Sequence, residues 1–127
     1  SFRKSILLKD DFFEAHNNLG VTLKELGKFN EAAASFRQSI LFNSKFAGAH
    51  NNLGNMLKKL GSFDEAEESF RKSLSLNSNN AGAHNNLGNL LKDKGNLIEA
   101  INCFKRAINI QPNFTEAWNN YDIKGRD

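Results

Sequence analysis

The sequence predicts an all-α solenoid, a row of antiparallel helix pairs stacked side by side, and three observations carry that expectation. The first is self-similarity. The hexapeptide Ala49-His50-Asn51-Asn52-Leu53-Gly54 recurs letter for letter at 15–20 and 83–88, and in altered form as Ala117-Trp118-Asn119-Asn120-Tyr121-Asp122, with a period of 34 residues. The second is that apolar residues inside each period recur at steps of three and four, the spacing of an amphipathic helix. The third is a glycine at the end of each such stretch, Gly27, Gly61 and Gly95, a residue that takes a left-handed cap conformation without steric cost. Repeats of this size bury their apolar surface against one another, so the core is expected to be long and thin.

The chain reads as one array over 1–127. Residues 1–12 are expected to be an orphan second helix and connector, because Ser1-Phe2-Arg3-Lys4-Ser5-Ile6 aligns with Ser35-Phe36-Arg37-Gln38-Ser39-Ile40 and with Ser69-Phe70-Arg71-Lys72-Ser73-Leu74. Repeat 1 (13–46) pairs a helix over 13–26 with one capped by Asn30 and running to Phe42 or Asn43. Repeat 2 (47–80) pairs a helix over 47–60, with its stripe Ala49, His50, Leu53, Leu57 and Leu60, with a second ending at Asn77. In that second helix Asp64 is the expected N-cap, Glu67 completes a capping box, and Ala66, Phe70, Ser73, Leu74 and Leu76 form the stripe. In repeat 3 (81–114) Ile98 stands in the slot of Asp64 and cannot cap, so Asn96 with Glu99 takes over, and Pro112 ends the hairpin. Residues 115–127 are a partial first helix and tail that leaves the pattern after Tyr121. Both ends fall inside repeats, as in a stretch of a longer array.

Small residues at Gly20, Gly54 and Gly88 and at Ala32, Ala66 and Ala100 suit positions where two helix backbones approach closely, with Phe36, Phe70 and Phe104 filling the space beside them. The net charge of +3 is mild, and Lys and Arg alternate with Glu and Asp, without the basic block or aromatic platform of a nucleic-acid binder. No apolar run is long enough to span a bilayer. Ser1-Phe2-Arg3-Lys4-Ser5-Ile6 has no signal-peptide layout, and Cys103, the one cysteine, has no disulfide partner within the chain. A reducing, cytoplasmic location fits these features.

At these positions the chain resembles the tetratricopeptide repeat family, whose signature runs aromatic, Leu-Gly, bulky residue, Ala, Phe and Pro. The second copy reads His50, Leu53-Gly54, Leu57, Ala66 and Phe70, and the others read His16, Leu19-Gly20, Leu23, Ala32, Phe36 and His84, Leu87-Gly88, Leu91, Ala100, Phe104. It departs from the signature with His for the aromatic, Ser44 and Ser78 for Pro, and Asp122 for Gly. The resemblance implies a right-handed superhelix whose first helices line a concave surface that accepts extended peptides.

The face left over by the apolar stripe is rich in asparagine. It holds Asn51, Asn52, Asn55 and Lys58 in the second copy, Asn85, Asn86, Asn89 and Lys92 in the third, and Asn17, Asn18 and Lys24 in the first, with Asn120 continuing a column. An asparagine offers an acceptor and two donors and so matches the amides of an extended chain whatever its sequence. The column Asn18, Asn52, Asn86, Asn120 looks like the asparagine ladder in the repeat region of O-linked N-acetylglucosamine transferases, which implies a grip on the peptide backbone. Each net hydrogen bond contributes about 0.5 to 1.5 kcal/mol, so affinity from three repeats is expected near or weaker than about micromolar. The competing reading is that duplication copied an idle polar residue, although Asn is a poor helix former. The Lys24, Lys58, Lys92 column reads either as an attractor for acidic peptide or as a complement to helix dipoles. A clamp for a C-terminal carboxylate needs basic residues where Asn17, Asn51 and Asn85 stand.

His16, His50 and His84 occur once per repeat in an aromatic's slot, without carboxylate or Cys at ligand spacing, and read as packing residues with no metal and no cofactor. No nucleophile elbow, phosphate loop or paired-carboxylate site appears, so no catalytic residue and no enzyme activity are expected. The function predicted is a protein- or peptide-binding scaffold. The alternatives are head-to-tail or domain-swapped self-association through the terminal half-repeats, which would make a homo-oligomer, and a substrate-recruiting region of a larger glycosyltransferase or sulfotransferase.

Overall fold

A computed structural model describes the backbone over 2–125 and the side chains over 12–122. The described residues form seven helices in succession: α1 (Phe2–Glu25), α2 (Phe29–Phe42), α3 (Ala47–Lys59), α4 (Phe63–Leu76), α5 (Ala81–Asp93), α6 (Leu97–Ile110) and α7 (Thr115–Gly125). The described residues form no strand. Helices α1 and α2, α3 and α4, and α5 and α6 pack as hairpins, and each hairpin stacks on the next.

The turn inside each hairpin is made by one glycine. Gly27, Gly61 and Gly95 have φ of 79°, 84° and 87°, conformations in which a Cβ would be strained. In the second hairpin Ser62 N–H reaches back to Leu57 O (2.8 Å) and Gly61 N–H to Lys58 O (3.0 Å), a paired cap that satisfies the last carbonyls of α3, and the other two hairpins repeat it. Beyond the turn the helices close on Gly–Phe pairs. A Cβ built on Gly20, Gly54 or Gly88 would lie 2.5, 2.7 or 2.5 Å from the ring of Phe36, Phe70 or Phe104, each fully buried. These phenylalanines join Ala32, Ala66, Ala100, Leu53, Leu57, Met56, Leu87, Leu90 and Leu91 in one continuous core along the stack.

Serines also tie the hairpins. Ser39 Oγ donates to Phe13 O (2.6 Å) and Ser73 Oγ to Ala47 O (2.8 Å), which explains how a hydroxyl sits within an apolar stripe. The third hairpin has buried Ala107 at that position.

Four local expectations differ from the structure, the last of them in part. Residues 1–12 are not a separate helix and connector, because α1 runs unbroken from Phe2 to Glu25. In the internal connectors Asn43 Oδ1 accepts from Lys45 N–H (3.1 Å) and Asn77 Oδ1 from Asn79 N–H (3.2 Å), side-chain turns that divert the backbone. Lys9 occupies the equivalent position and offers no acceptor, so the helix continues; the side chains of 2–11 lie outside the described residues. Asp64 and Asn30 are not N-caps, since α4 and α2 start at Phe63 and Phe29 behind Ser62 and Lys28. Asp64 and Glu67 instead hold Lys94 of the next hairpin, at 2.8 and 2.7 Å. Leu60 is 38% exposed rather than part of the core. Asn96 does occupy the N-cap position of α6, and its Nδ2 donates to Glu99 Oε1 (3.0 Å) rather than capping a backbone N–H.

Candidate functional site

Curvature of the stack decides which face is enclosed. The odd-numbered helices touch in sequence, α1 to α3, α3 to α5 and α5 to α7, whereas no Cα of α2 lies within 8 Å of α4, nor any of α4 within 8 Å of α6. The odd helices therefore line the inner side, and that is where the asparagine columns stand.

The columns are joined in pairs across successive hairpins. Asn52 Nδ2 donates to Asn17 Oδ1 (3.0 Å), Asn86 Nδ2 to Asn51 Oδ1 (3.2 Å) and Asn120 Nδ2 to Asn85 Oδ1 (3.1 Å). Each rung links positions 35 residues apart, one period plus one, and each runs in the same direction. Asn52, Asn86 and Asn120 are half-buried, as are Asn17, Asn51, Asn55 and Asn89, and Asn18 is exposed. Asn85 departs from the expectation of a groove-facing residue. It is 1% exposed, and its Oδ1 accepts from Asn120, so it lies under the surface rather than on it. The offset of one residue between the two columns is the signal in the sequence that could have revealed the pairing.

The lysine column is uneven. Lys58 Nζ lies 3.5 Å from Asp93 Oδ2, an ion pair between α3 and α5, while Lys24 and Lys92 stand half-buried in the last turns of α1 and α5. Open grooves of about 620 and 560 Å³ lie elsewhere, on the outer side between α2 and α4.

The histidines pack and tie the connectors. His50 Nε2 and His84 Nε2 each lie 2.9 Å from a carbonyl, of Ser44 and Ser78, and because a carbonyl only accepts, Nε2 carries the proton. Trp118 Nε1 makes the same bond to Pro112 O (2.6 Å), so His with Ser and Trp with Pro are interchangeable versions of one anchor. The carbonyl equivalent to those of Ser44 and Ser78 lies within helix α1, and His16 instead stacks on Phe42 with ring centroids 5.5 Å apart. Cys103 is buried, and burial pushes its thiol above the usual range.

Models of the tetratricopeptide repeat match residues 13–46, 47–80 and 81–114. The chain belongs to the tetratricopeptide repeat family. No curated protein gives a significant match to it. Among solved structures, its tetratricopeptide stack is similar to MamA (22% identity, 99% of this chain and 74% of that one, TM-score 0.86). It is also similar to the first TPR of Spaghetti (RPAP3) bound to an HSP90 peptide (20% identity, 92% and 93%, TM-score 0.89). A Thermobaculum terrenum O-GlcNAc transferase mutant aligns at 18% identity over 91% of this chain and 22% of that one, with a TM-score of 0.86. At these identities the likeness is one of fold. Among the described residues no helix is long and apolar enough to cross a membrane.

Proposed function

We propose that this chain is a protein-binding scaffold that holds an extended peptide along the inner surface of α1, α3, α5 and α7. The observation that carries the reading is the set of three asparagine rungs at one height on that surface. After donating one N–H to a rung, Asn52, Asn86 and Asn120 each retain an Oδ1 and a second N–H, the donor and acceptor pair that a peptide's C=O and N–H require. Exposed Asn18 extends the column at one end, and half-buried Asn55 and Asn89 lie one helical turn further on. Lys24 and Lys92, in the last turns of α1 and α5, stand beside the row and favour a peptide that carries acidic residues. The similar RPAP3 domain is one bound to a peptide, which supports a peptide ligand here without identifying it. Repeats of this family are generally non-catalytic scaffolds, so any reaction would belong to a partner or to a larger protein such as the O-GlcNAc transferase of which the stack matches 22%.

Head-to-tail completion of the half-repeats is less compatible with the packing. It would bring Phe2 of one copy to the position beside Asp122 of another, where the interior hairpins have Gly54 and Gly88 because a Cβ there lies 2.7 or 2.5 Å from the phenylalanine ring. A mass that stays at one chain across a hundredfold concentration range in light scattering is expected.

The groove is tested by screening an immobilised peptide library and titrating the best binder against the Asn52→Ala, Asn86→Ala double variant. A loss of roughly tenfold or more is expected, from two hydrogen bonds of about 0.5 to 1.5 kcal/mol each. Unchanged affinity in a folded double variant would place the ligand elsewhere.

A further inference from the structure

We infer that the two asparagine columns divide the work: Asn17, Asn51 and Asn85 are positioning residues that orient the amides of Asn52, Asn86 and Asn120 for the peptide and do not touch it. This rests on the groove reading above and adds an internal mechanism to it.

The direction of the rungs is the first argument. In all three the earlier repeat supplies the acceptor Oδ1 and the later repeat the donor Nδ2. The terminal torsion of a lone Asn is broad and two-fold, so a free side chain presents its donor and acceptor in no fixed order. A rung removes that freedom, because fixing one Nδ2 proton on the neighbour fixes where the second proton and Oδ1 point. The cost of ordering the side chain is met before the ligand arrives, which is preorganisation. Burial is the second argument and acts at the third rung, where Asn85 at 1% exposure has no surface on which a peptide could rest while its partner Asn120 is half-buried; at the other two rungs both partners are half-buried. Among the described residues the row contains three oriented amides, and Asn18, which makes no such rung, is exposed.

The two columns respond oppositely to one substitution. Asp retains an acceptor and loses the donors, so Asn51→Asp keeps its rung whereas Asn86→Asp breaks it. The test uses the ¹⁵N-labelled chain titrated by NMR with a decapeptide of alternating glycine and serine, and with its fully N-methylated analogue as a control lacking backbone N–H groups. The variants are N51A, N51D, N86A and N51A with N86A combined. Binding of the unmethylated peptide is expected to weaken about three- to tenfold in N51A, to match the wild type in N51D, and to weaken at least as much in N86A as in N51A. N51A should add nothing in the N86A background, since Asn51 acts only through Asn86. Losses that add in the double variant, or an N51D as weak as N51A, would overturn the role. The Asn86 side-chain amide resonance should move in N51A and hold in N51D whether or not peptide is present. An amide unmoved by N51A overturns the rung by itself, and a wild type that responds to neither peptide overturns the groove reading and this role with it.

Discussion

The junction between the first and second hairpins and that between the second and third are the same surface displaced by one period, yet they are closed by different chemistry. On the inner side each has one Asn–Asn rung between odd helices, and the second adds the Lys58–Asp93 ion pair. On the outer side the second junction carries an ion cluster: Lys94 holds Asp64 and Glu67, while Arg71 bonds Glu67 (2.9 Å) and Glu99. The first junction has Leu60, Asn30 and Ala33 at the positions of Lys94, Asp64 and Glu67, only Arg37 and Glu65 span it at 3.4 Å, and a groove of about 560 Å³ stays open. Both junctions stack regardless. The difference teaches that core and inner rungs set the stack, while the outer charges are free to vary because exposed ion pairs contribute little.

If that ordering is right, a core truncation must outweigh every outer change. Phe70→Ala removes a fully buried ring from beside Gly54 and should cost about 3 to 5 kcal/mol in urea unfolding. Phe36→Ala should cost a similar amount although its hairpin borders the open groove. A Phe36 variant that lost much less would mean that the ion cluster, and not the core, makes the second junction firm.

A smaller effect separates the hairpins themselves. Ser73→Ala leaves the Ala47 carbonyl without its side-chain donor and should cost about 0.5 to 1.5 kcal/mol, whereas Ala107→Ser in the third hairpin offers a new donor to the equivalent carbonyl and should be neutral or stabilising. Loss of stability in both variants would show that the third hairpin is packed too tightly to admit a hydroxyl.

These contrasts also mark what the sequence discloses. Helix periodicity, the glycine stops and the Gly–Phe pairing are legible because each depends on residues within one period and is repeated. The fate of Asp64 and Glu67 was not legible: their spacing fits a capping box, but Lys94, about thirty residues on and present in only one hairpin, offers a stronger partner. Asn85 is buried where the repeat pattern puts it on the surface, because periodicity assigns a face and not a depth: the equivalent Asn51 accepts the same kind of rung and stays half-buried. The unbroken α1 shows the same limit, since alignment to later copies carried over a connector whose turn-forming asparagine is Lys9 in the first copy.

The smallest effect expected is also the most selective between the junctions. The hydrogen bond from Lys94 holds the carboxyls of Asp64 and Glu67 below their ordinary values of 3.8 and 4.5, with burial opposing it at both, and Arg71 adding to the effect at Glu67. A group whose folded value is depressed contributes stability above its unfolded value and loses it as pH falls through the folded one. The cluster therefore supports the second junction at neutral pH and stops doing so as the medium is acidified below about pH 4. Lys94 is shifted the opposite way, above its ordinary 10.5, so its contribution is present below that value and fades only in strong alkali. Lys94→Leu copies Leu60 of the first junction into the second, removing the shared partner while Glu67 keeps Arg71. Urea midpoints of wild type and variant should then differ slightly at pH 7, converge as the pH falls through the lowered values of Asp64 and Glu67, and converge likewise in 1 M salt, where exposed pairs are screened. A difference that persists in acid would mean that Lys94 acts through the packing of its aliphatic stem, and the two junctions would then differ in shape rather than in charge.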